Sequence, residues 1–166
     1  EPKLIKGPDV FCDVIEKLSQ KYDIFVLLTG PSRGYVKNRL ICAGVPFVHN
    51  YLKHSDDIAS YFSASDIYLV TSREEGGPKA ILEAMASGVP LICTKVGMAP
   101  DVLIDRQNAL LIDVEDVSHA CVCVDDLVEN SELRERLILN GTMTASNFGW
   151  QRVANLYYKY LYQDFL

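Results

Sequence analysis

The sequence predicts an α/β domain in which helices cover a doubly wound, Rossmann-like parallel sheet. Three observations lead to this prediction. Short apolar runs rich in β-branched residues recur along the first two thirds of the chain, helical segments alternate with them, and only helices follow about residue 116. Repeated strand–helix–strand alternation implies right-handed crossovers and a parallel sheet that is buried on both faces.

Each predicted strand is a short apolar run bounded by Gly, Pro or polar residues. The five runs are Ile24–Thr29, Val45–His49, Asp66–Thr71, Pro90–Thr94 and Ala109–Ile112. A doubly wound domain normally opens with a strand, whereas only the residues up to Ile5 precede the first helical segment here. We therefore expect that part of a first strand is missing.

The predicted helices carry recognisable start and stop residues. Pro8 suits a first helical turn, Gly44 and Gly88 are typical of helix ends, and Ser55 and Ser131 are predicted N-caps. The predicted helical segments are 8–20, 33–43, 55–64, 78–87, 116–129, 131–147 and 150–163. The last three extend the sheet domain with additional C-terminal helices.

Composition restricts the partners of the chain. Its net charge is −6 and its basic residues are scattered, which argues against a nucleic-acid partner because such proteins need clustered cations. No apolar run approaches the roughly 18 residues of a membrane span. Five cysteines without C-x-x-C spacing indicate free thiols in a reducing cytosol. We expect one cytoplasmic domain over residues 1–166, without a structural metal.

The loop that follows the third predicted strand has the composition of a ligand site. Gly76 and Gly77 let backbone N–H groups approach an anion, and Pro78 starts a helix whose positive end faces the same space. Glu83 lies among apolar residues of that helix, and its carboxylate should lean back toward the glycines. A buried carboxylate needs a partner, and either a ribose diol or a structural salt bridge would satisfy it.

The stretch Glu75-Gly-Gly-Pro-Lys-Ala-Ile-Leu-Glu83, with seven residues between its glutamates, resembles the E-x7-E signature of retaining GT-B glycosyltransferases of glycosyltransferase family 4. Other parts agree in order and spacing over essentially the whole chain, namely Lys6-Gly7, Gly30, 64–72, 96–101 and 108–112. The resemblance implies the C-terminal, donor-binding half of a GT-B fold. The N-terminal acceptor domain of such an enzyme is absent from this chain.

The resemblance implies a nucleotide-sugar-dependent hexosyltransferase, and it assigns roles to particular residues. Glu83 would bind the ribose hydroxyls of the donor. Glu75, the expected catalytic residue, would meet the donor sugar and the distal phosphate together with Gly76 and Gly77. Lys6 matches the lysine that contacts the diphosphate, and the arginine that usually accompanies it would fall at or before position 1. The isolated fragment is expected to be inactive.

The remaining predicted donor-binding residues are Gly30, Tyr51, Leu52 and Pro78. Tyr51 and Leu52 follow the second predicted strand, where the resemblance places the nucleobase, and Tyr51 either stacks on the base or packs locally. Arg73 and Lys79 are expected to be solvated. The donor base and sugar are left open.

No cofactor or metal is expected, because GT-B enzymes generally need no catalytic divalent ion and the sequence has no D-x-D motif. The implied partners are a nucleoside-diphosphate sugar, the enzyme's own N-terminal domain and an unidentified glycan, lipid or small-molecule acceptor. The aromatic terminal helix, 151–163, would reach that domain or touch a membrane surface. Two alternatives remain open, a GT-B sugar-nucleotide epimerase and a non-enzymatic, flavodoxin-like binding module.

Overall fold

The computed structural model describes residues 4–52, 54–77 and 79–162, and the structural statements below concern these ranges. The strands are β1 (Val26–Thr29), β2 (Phe47–Asn50), β3 (Tyr68–Val70), β4 (Leu91–Thr94) and β5 (Leu110–Ile112). The helices are α1 (Pro8–Leu18), α2 (Gly34–Ala43), α3 (Ser55–Ser63), α4 (Lys79–Ala86), α5 (Ala99–Val102), α6 (Val117–Glu129), α7 (Ser131–Ser146) and α8 (Trp150–Tyr157). A 3-10 turn, Leu4–Lys6, precedes α1, and a π-helical turn, Tyr158–Tyr162, follows α8.

The strands pair in parallel, which confirms the predicted α/β class, but they form two sheets. One sheet contains β1 and β2, and the other has the order β3-β4-β5. The sequence predicts a parallel sheet, and the described strands are divided between these two parallel sheets. A cleft separates the edge strands β1 and β3, and residues of both strands line it.

The sheet β3-β4-β5 is buried on both faces. Ile92 and Leu110 pack with residues of α6 and the first half of α7, whereas Cys93 and Leu111 pack against α4 on the other face, where Ala145 near the end of α7 also contributes. Parallel strands that are covered by helices on both faces need apolar residues at consecutive positions, which explains the nearly uninterrupted apolar runs of β4 and β5. The shorter sheet uses one face, where Val26 and Leu28 pack against α1 and α2.

Several predicted boundaries differ from the observed ones. Strand β1 begins at Val26 rather than Ile24, and the side chain of Phe25 is exposed. The side chain of Asn130 caps α7 by accepting a hydrogen bond from the Leu133 amide at 2.9 Å, so Ser131 is the first helical residue and not the cap. Ser55 likewise begins α3, with His54 at the N-cap position. The short helix α5 was not predicted.

The end of the described chain adds little to the core. Helix α8 and the π-helical turn contain no buried residue, and Trp150 is 81% exposed. The α-helical hydrogen bonding ends at Tyr157 and continues as a π-helical turn to Tyr162, so the segment predicted as a helix to residue 163 is helical as far as the structure describes it. In the described ranges, none of the helices combines the length and apolar character that crossing a bilayer would require.

Candidate functional site at the carboxyl ends of the strands

The candidate site is built where the loop after β3 meets the loop after β4. The amide of Met98 donates a hydrogen bond to the carbonyl of Gly76 at 3.0 Å. Gly97 has φ of 57°, and a β-carbon there would overlap the Glu75 carbonyl oxygen. A side chain at Gly97 is therefore excluded both by backbone strain and by this close approach. The contact holds the Gly76 backbone in place beside the start of α4.

The backbone of the glycine pair is accessible. Both glycines are exposed, and a β-carbon at Gly76 would meet nothing within 4 Å. A β-carbon added at Gly77 would lie 3.5 Å from the sulfur of Met98, which is an ordinary van der Waals contact. This open space agrees with an anion cradle. Pro78, which the sequence places in the same cradle, lies outside the described residues.

Lys6 and Glu75 form the central ion pair of the site. The Lys6 Nζ atom lies 2.6 Å from Glu75 Oε1, and the Ser72 hydroxyl donates a hydrogen bond to the same oxygen at 2.8 Å. The Glu75 side chain is 11% exposed and that of Lys6 is 44% exposed. Two residues predicted from distant parts of the sequence are thus in direct contact, and Ser72 is a third member that sequence reasoning missed.

A short segment before α1 brings Lys6 to the loop after β3. The amides of Arg73 and Glu74 donate to the carbonyl of Ile5 at 2.8 and 3.3 Å. The Thr71 hydroxyl donates to the carbonyl of Gly7 at 2.9 Å. Gly7 has φ of 59°, and a β-carbon there would overlap the Thr71 carbonyl. Glycine is therefore required where the two chains cross, next to Lys6.

Arg73 reinforces this junction, and the expectation that it is solvated is wrong. Its guanidinium makes two hydrogen bonds to the Asp9 carboxylate, at 2.7 and 2.8 Å, one to Glu115 and one to the Leu4 carbonyl. The hydrogen bonds from Arg73 lower the pKa of Asp9 to about 2. Arg73 therefore joins the loop after β3 to the start of α1, and it is not the free cation that its position in the sequence suggested.

Glu83 has a protein partner in the structure. Its Oε1 atom lies 2.9 Å from the Nζ atom of Lys79, one helical turn earlier, and its side chain is 32% exposed. The carboxylate leans toward the helix start as predicted, but it is less buried than its apolar neighbours implied. The salt bridge that the sequence left open as an alternative is present. Lys79 is exposed, in agreement with its prediction, although it is paired.

The loop after β1 contributes a cation that sequence reasoning missed. Arg33 lines the cleft together with Lys6 and Lys79, and its Nε atom donates to the carbonyl of Thr29 at 2.8 Å. Within the described chain, the Arg33 guanidinium forms no ion pair. Gly30 precedes it with φ of 77°, and the Nε2–H group of His49 donates to the Gly30 carbonyl at 2.8 Å. An arginine two residues after the Gly30-Pro31 pair at a strand end was the available signal.

The predicted base-binding pair lies at the outer strand of the smaller sheet. Tyr51 and Leu52 follow β2, and the side chain of Tyr51 is 65% exposed. Neither residue lines the cleft, whereas Lys6, Glu75 and Gly77 do. The structure therefore brings the anion-binding candidates together and places the base-binding candidates apart from them. The exposed Tyr51 ring is accessible for stacking.

Within the described residues, no group of three or more His, Cys, Asp or Glu side chains could hold a metal ion. Independence of a metal remains a prediction about the reaction. The groups present are cations, backbone amides and carboxylates. This set suits an anionic ligand that also carries hydroxyl groups.

Comparison with curated proteins identifies relatives along most of the chain. The family model for glycosyl transferases group 1 matches residues 3–143. Spore coat protein SA of Bacillus subtilis is 29% identical over 173 residues, which cover 90% of this chain and 44% of that protein. The chain spans less than half the length of the curated relatives that it matches in this way.

Solved structures share the fold. The C-terminal domain of a glycosyl transferase group 1 family protein, LpcC, from Francisella tularensis has a TM-score of 0.76 at 25% identity, covering 88% of this chain and 80% of that chain. HepE of Anabaena in complex with UDP-glucose has a TM-score of 0.76 at 20% identity, covering 94% and 46%. The predicted GT-B C-terminal fold is confirmed. Since the family model matches residues 3–143, this chain belongs to the glycosyl transferases group 1 family.

Proposed function

We propose that the chain is the donor-binding domain of a retaining family 4 glycosyltransferase that moves a hexose from a nucleoside-diphosphate sugar to an acceptor. The observation that carries this proposal is the Lys6–Glu75 ion pair beside the open backbone of Gly76 and Gly77. A cation and free amides suit a phosphate, and a fixed carboxylate suits sugar hydroxyls. HepE, which has the same fold, is described in complex with UDP-glucose.

Charge balance determines how such a donor would be held. A diphosphate carries about two negative charges, and a helix N-terminus such as that of α4 supplies about half a positive one. Arg33 lines the cleft, has no carboxylate partner among the described residues and adds a full positive charge, whereas the charge of Lys6 is balanced by Glu75 and this lysine contributes N–H donors. An ammonium has three donors, so Lys6 can hold Glu75 and a phosphate oxygen together.

The proposed reaction separates charge, and the site is arranged to stabilise that separation. As the anomeric bond breaks, negative charge develops on the diphosphate and positive charge on the sugar. Lys6 and the Gly76–Gly77 amides would stabilise the first, and Glu75 would stabilise the second. Because Lys6 and Ser72 already orient Glu75, little reorganisation is needed when the charges form. A phosphate oxygen would accept the proton of the attacking acceptor hydroxyl, so the scheme needs no metal.

Glu83 would exchange one partner for another when the nucleotide binds. Its carboxylate is accessible, and within the described chain its one ion-pair partner is exposed Lys79. Exposed helical ion pairs contribute only about 0.3 to 0.5 kcal/mol. Two ribose O–H groups that donate to the carboxylate would readily replace that contact. The full-length enzyme would bind its acceptor mainly through an N-terminal domain and act in the cytoplasm.

Nucleotide titration followed by backbone NMR tests the proposal. We expect UDP, GDP or ADP to shift the amide signals of Gly76 and Gly77, with an affinity of about −4 to −6 kcal/mol for the 166-residue chain on its own. The matching nucleoside is the control, since it lacks the diphosphate and should leave these signals in place. Absence of any shift at millimolar nucleoside diphosphate would overturn the proposal.

A further inference from the structure

A buried hydroxyl at the end of β4 is bonded to the loop that carries Glu75. Thr94 is the last residue of β4 and is 0% exposed. Its Oγ1 atom donates a hydrogen bond to the Ser72 carbonyl oxygen at 2.7 Å. A hydroxyl has one proton to donate, so this bond uses the donor capacity of the side chain. Because Ser72 is itself only 3% exposed, its carbonyl depends on a donor from the protein.

The register of the larger sheet explains why a side chain makes this bond. Val70 is paired with Cys93 in the parallel ladder between β3 and β4. If that ladder continued, the Val96 amide would donate to the Ser72 carbonyl. Strand β4 ends first, and the Val96 amide donates instead to the Thr94 carbonyl at 2.8 Å. The Thr94 hydroxyl therefore replaces the ladder donor at the start of the loop after β3.

A second hydrogen bond connects Ser72 to the carboxylate of the site. The Ser72 hydroxyl donates to Glu75 Oε1 at 2.8 Å. The same loop is held beyond the glutamate, where the Met98 amide donates to the Gly76 carbonyl at 3.0 Å. The end of β4 and the loop that follows it thus fix the backbone on both sides of Glu75.

The buried hydroxyls constrain the Glu75 carboxylate more tightly than its lysine partner can. The Lys6 side chain is 44% exposed and has a flexible four-carbon stem. Ser72 and Thr94 are both buried and have short side chains with few rotamers. Loss of the Thr94 hydroxyl should therefore disturb the carboxylate even though the ion pair with Lys6 can still form.

We propose that Thr94 is a positioning residue for Glu75, which acts through Ser72 and does not contact the substrate. Its hydroxyl fixes the Ser72 backbone, and the Ser72 side chain then holds the carboxylate. The effect on catalysis rests on the proposed function, whereas the hydrogen-bonded connection does not. A carboxylate that stabilises charge in the transition state contributes less when its orientation is lost.

Two substitutions at Thr94 separate the hydroxyl from the packing of the side chain. Thr94→Val keeps the shape and removes the donor, whereas Thr94→Ser keeps the donor and removes a methyl group. In the full-length enzyme, we expect Thr94→Val to lower kcat by about three- to tenfold, the effect of one hydrogen bond, and Thr94→Ser to stay within about twofold. The Kd of nucleoside diphosphate should change by less than about twofold in both variants. Equal kcat values for the two variants would overturn the proposal.

A double-mutant cycle tests whether Thr94 acts through Ser72. In a Ser72→Ala background the connecting hydroxyl is gone, so Thr94→Val should cause no further loss of kcat. Independent losses that multiply in the double variant would overturn the proposal, because Thr94 would then act by another route. A loss of nucleoside diphosphate binding as large as the loss of kcat would also overturn it, because a positioning role for Glu75 does not predict that loss.

NMR of the 166-residue chain tests the connection without any transferase activity. The χ1 angle of Ser72 is measured from three-bond couplings. We expect one rotamer in the unsubstituted chain and in Thr94→Ser, and averaging between rotamers in Thr94→Val. One fixed rotamer in Thr94→Val would overturn the inference and leave the proposed function untouched. The expected rotamers together with no sugar transfer by the full-length enzyme would support the connection and overturn the proposed function instead.

A second pair of variants covers the case in which Thr94→Val does not fold. Thr94→Cys is then compared with Thr94→Ser, because the two side chains are similar in shape and a thiol is a weaker hydrogen-bond donor than a hydroxyl. We expect Thr94→Cys to have the lower kcat and the more averaged Ser72 rotamer. Indistinguishable Thr94→Cys and Thr94→Ser proteins would overturn the proposal.

Discussion

Glu75 is a carboxylate whose orientation is determined before any ligand arrives. One of its oxygens accepts hydrogen bonds from both Lys6 and Ser72, at 2.6 and 2.8 Å. The residue is also tied through its own backbone, since its carbonyl lies against Gly97. Side chain and backbone are therefore both held, which is the arrangement expected of a group that acts by position rather than by moving.

Replacement of Glu75 by Ala in the full-length enzyme should lower kcat strongly and leave the binding of free nucleoside diphosphate almost unchanged. The reason is that positive charge develops on the sugar only as the diphosphate leaves, so the carboxylate contributes most in the transition state. Steady-state kinetics and calorimetry measure the two quantities. Weaker diphosphate binding with an unchanged kcat would show that Glu75 lies at the phosphates. Ser72→Ala is the matched variant, because it removes one hydrogen bond to the Glu75 carboxylate and leaves the carboxylate in place. It should lower kcat less than Glu75→Ala does.

Replacement of Glu83 by Gln should weaken nucleotide binding by roughly 1.5 to 3 kcal/mol, the range for hydrogen bonds to a charged group. The loss should be smaller for a 2′-deoxynucleotide, which lacks one of the two donors. Lys79→Ala is the control, because it removes the observed salt-bridge partner without removing the carboxylate, and it should not weaken nucleotide binding. Equal losses for ribose and deoxyribose nucleotides would assign Glu83 a structural role.

At the level of elements, the turn before α1 docks on the loop after β3. Backbone hydrogen bonds to Ile5, the crossing at Gly7 and the Arg73–Asp9 contact all join these two segments. Lys6 lies in the middle of this junction. Its position beside Glu75 is therefore a consequence of how α1 begins, and a change that loosens the junction should act on the site from outside it.

Replacement of Arg73 by Ala should destabilise the fold by about 1 to 2 kcal/mol at neutral pH, a value reduced for the partial exposure of the pair. The pKa of Asp9 is lowered from 3.8 to about 2 in the folded protein. The stabilisation is therefore complete above the unfolded value and is lost as pH falls through about 2. Urea unfolding at several pH values should show the two proteins converging in strong acid. A constant difference across that range would contradict this account.

For the whole molecule, the described chain divides into a packed body and an exposed end. The buried side chains form three clusters that involve α1, α2, α4, α6 and α7 with the two sheets. Helix α8 and the following turn contain none of them. Aromatic residues on this end, such as Trp150 and Tyr160, remain exposed.

Truncation after Gly149 should therefore leave the free energy of unfolding within about 1 kcal/mol of that of the full chain, because Trp150–Tyr162, the described part of the segment removed, contains no buried residue. Binding of a hydrophobic dye should decrease, since exposed aromatic surface is removed. Urea unfolding and dye fluorescence measure these effects. A loss of cooperative unfolding in the truncated chain would show that the segment packs on the body.

Local sequence determined the type of nearly every element. The apolar runs around β4 and β5 predict buried strands because burial on two faces excludes polar residues, and Gly44 and Gly88 have the positive φ expected at helix ends. The errors are also local. Asn130 rather than Ser131 caps α7, since both residue types accept the capping bond and only the backbone geometry distinguishes them.

The fold class, the glycine loop and the residues from which a site could be built all follow from local sequence patterns. Which of these residues meet depends on the packing of the folded chain. Lys6 contacts Glu75 across 69 positions, and Arg73 contacts Asp9 across 64. The separation of the two sheets was likewise decided there, by the open edges of β1 and β3. The physical reason is that the periodic pattern of apolar residues reflects the backbone geometry and burial of residues that are neighbours in sequence. Ion pairs and the pairing of strand edges depend instead on distances between elements that are far apart in the chain.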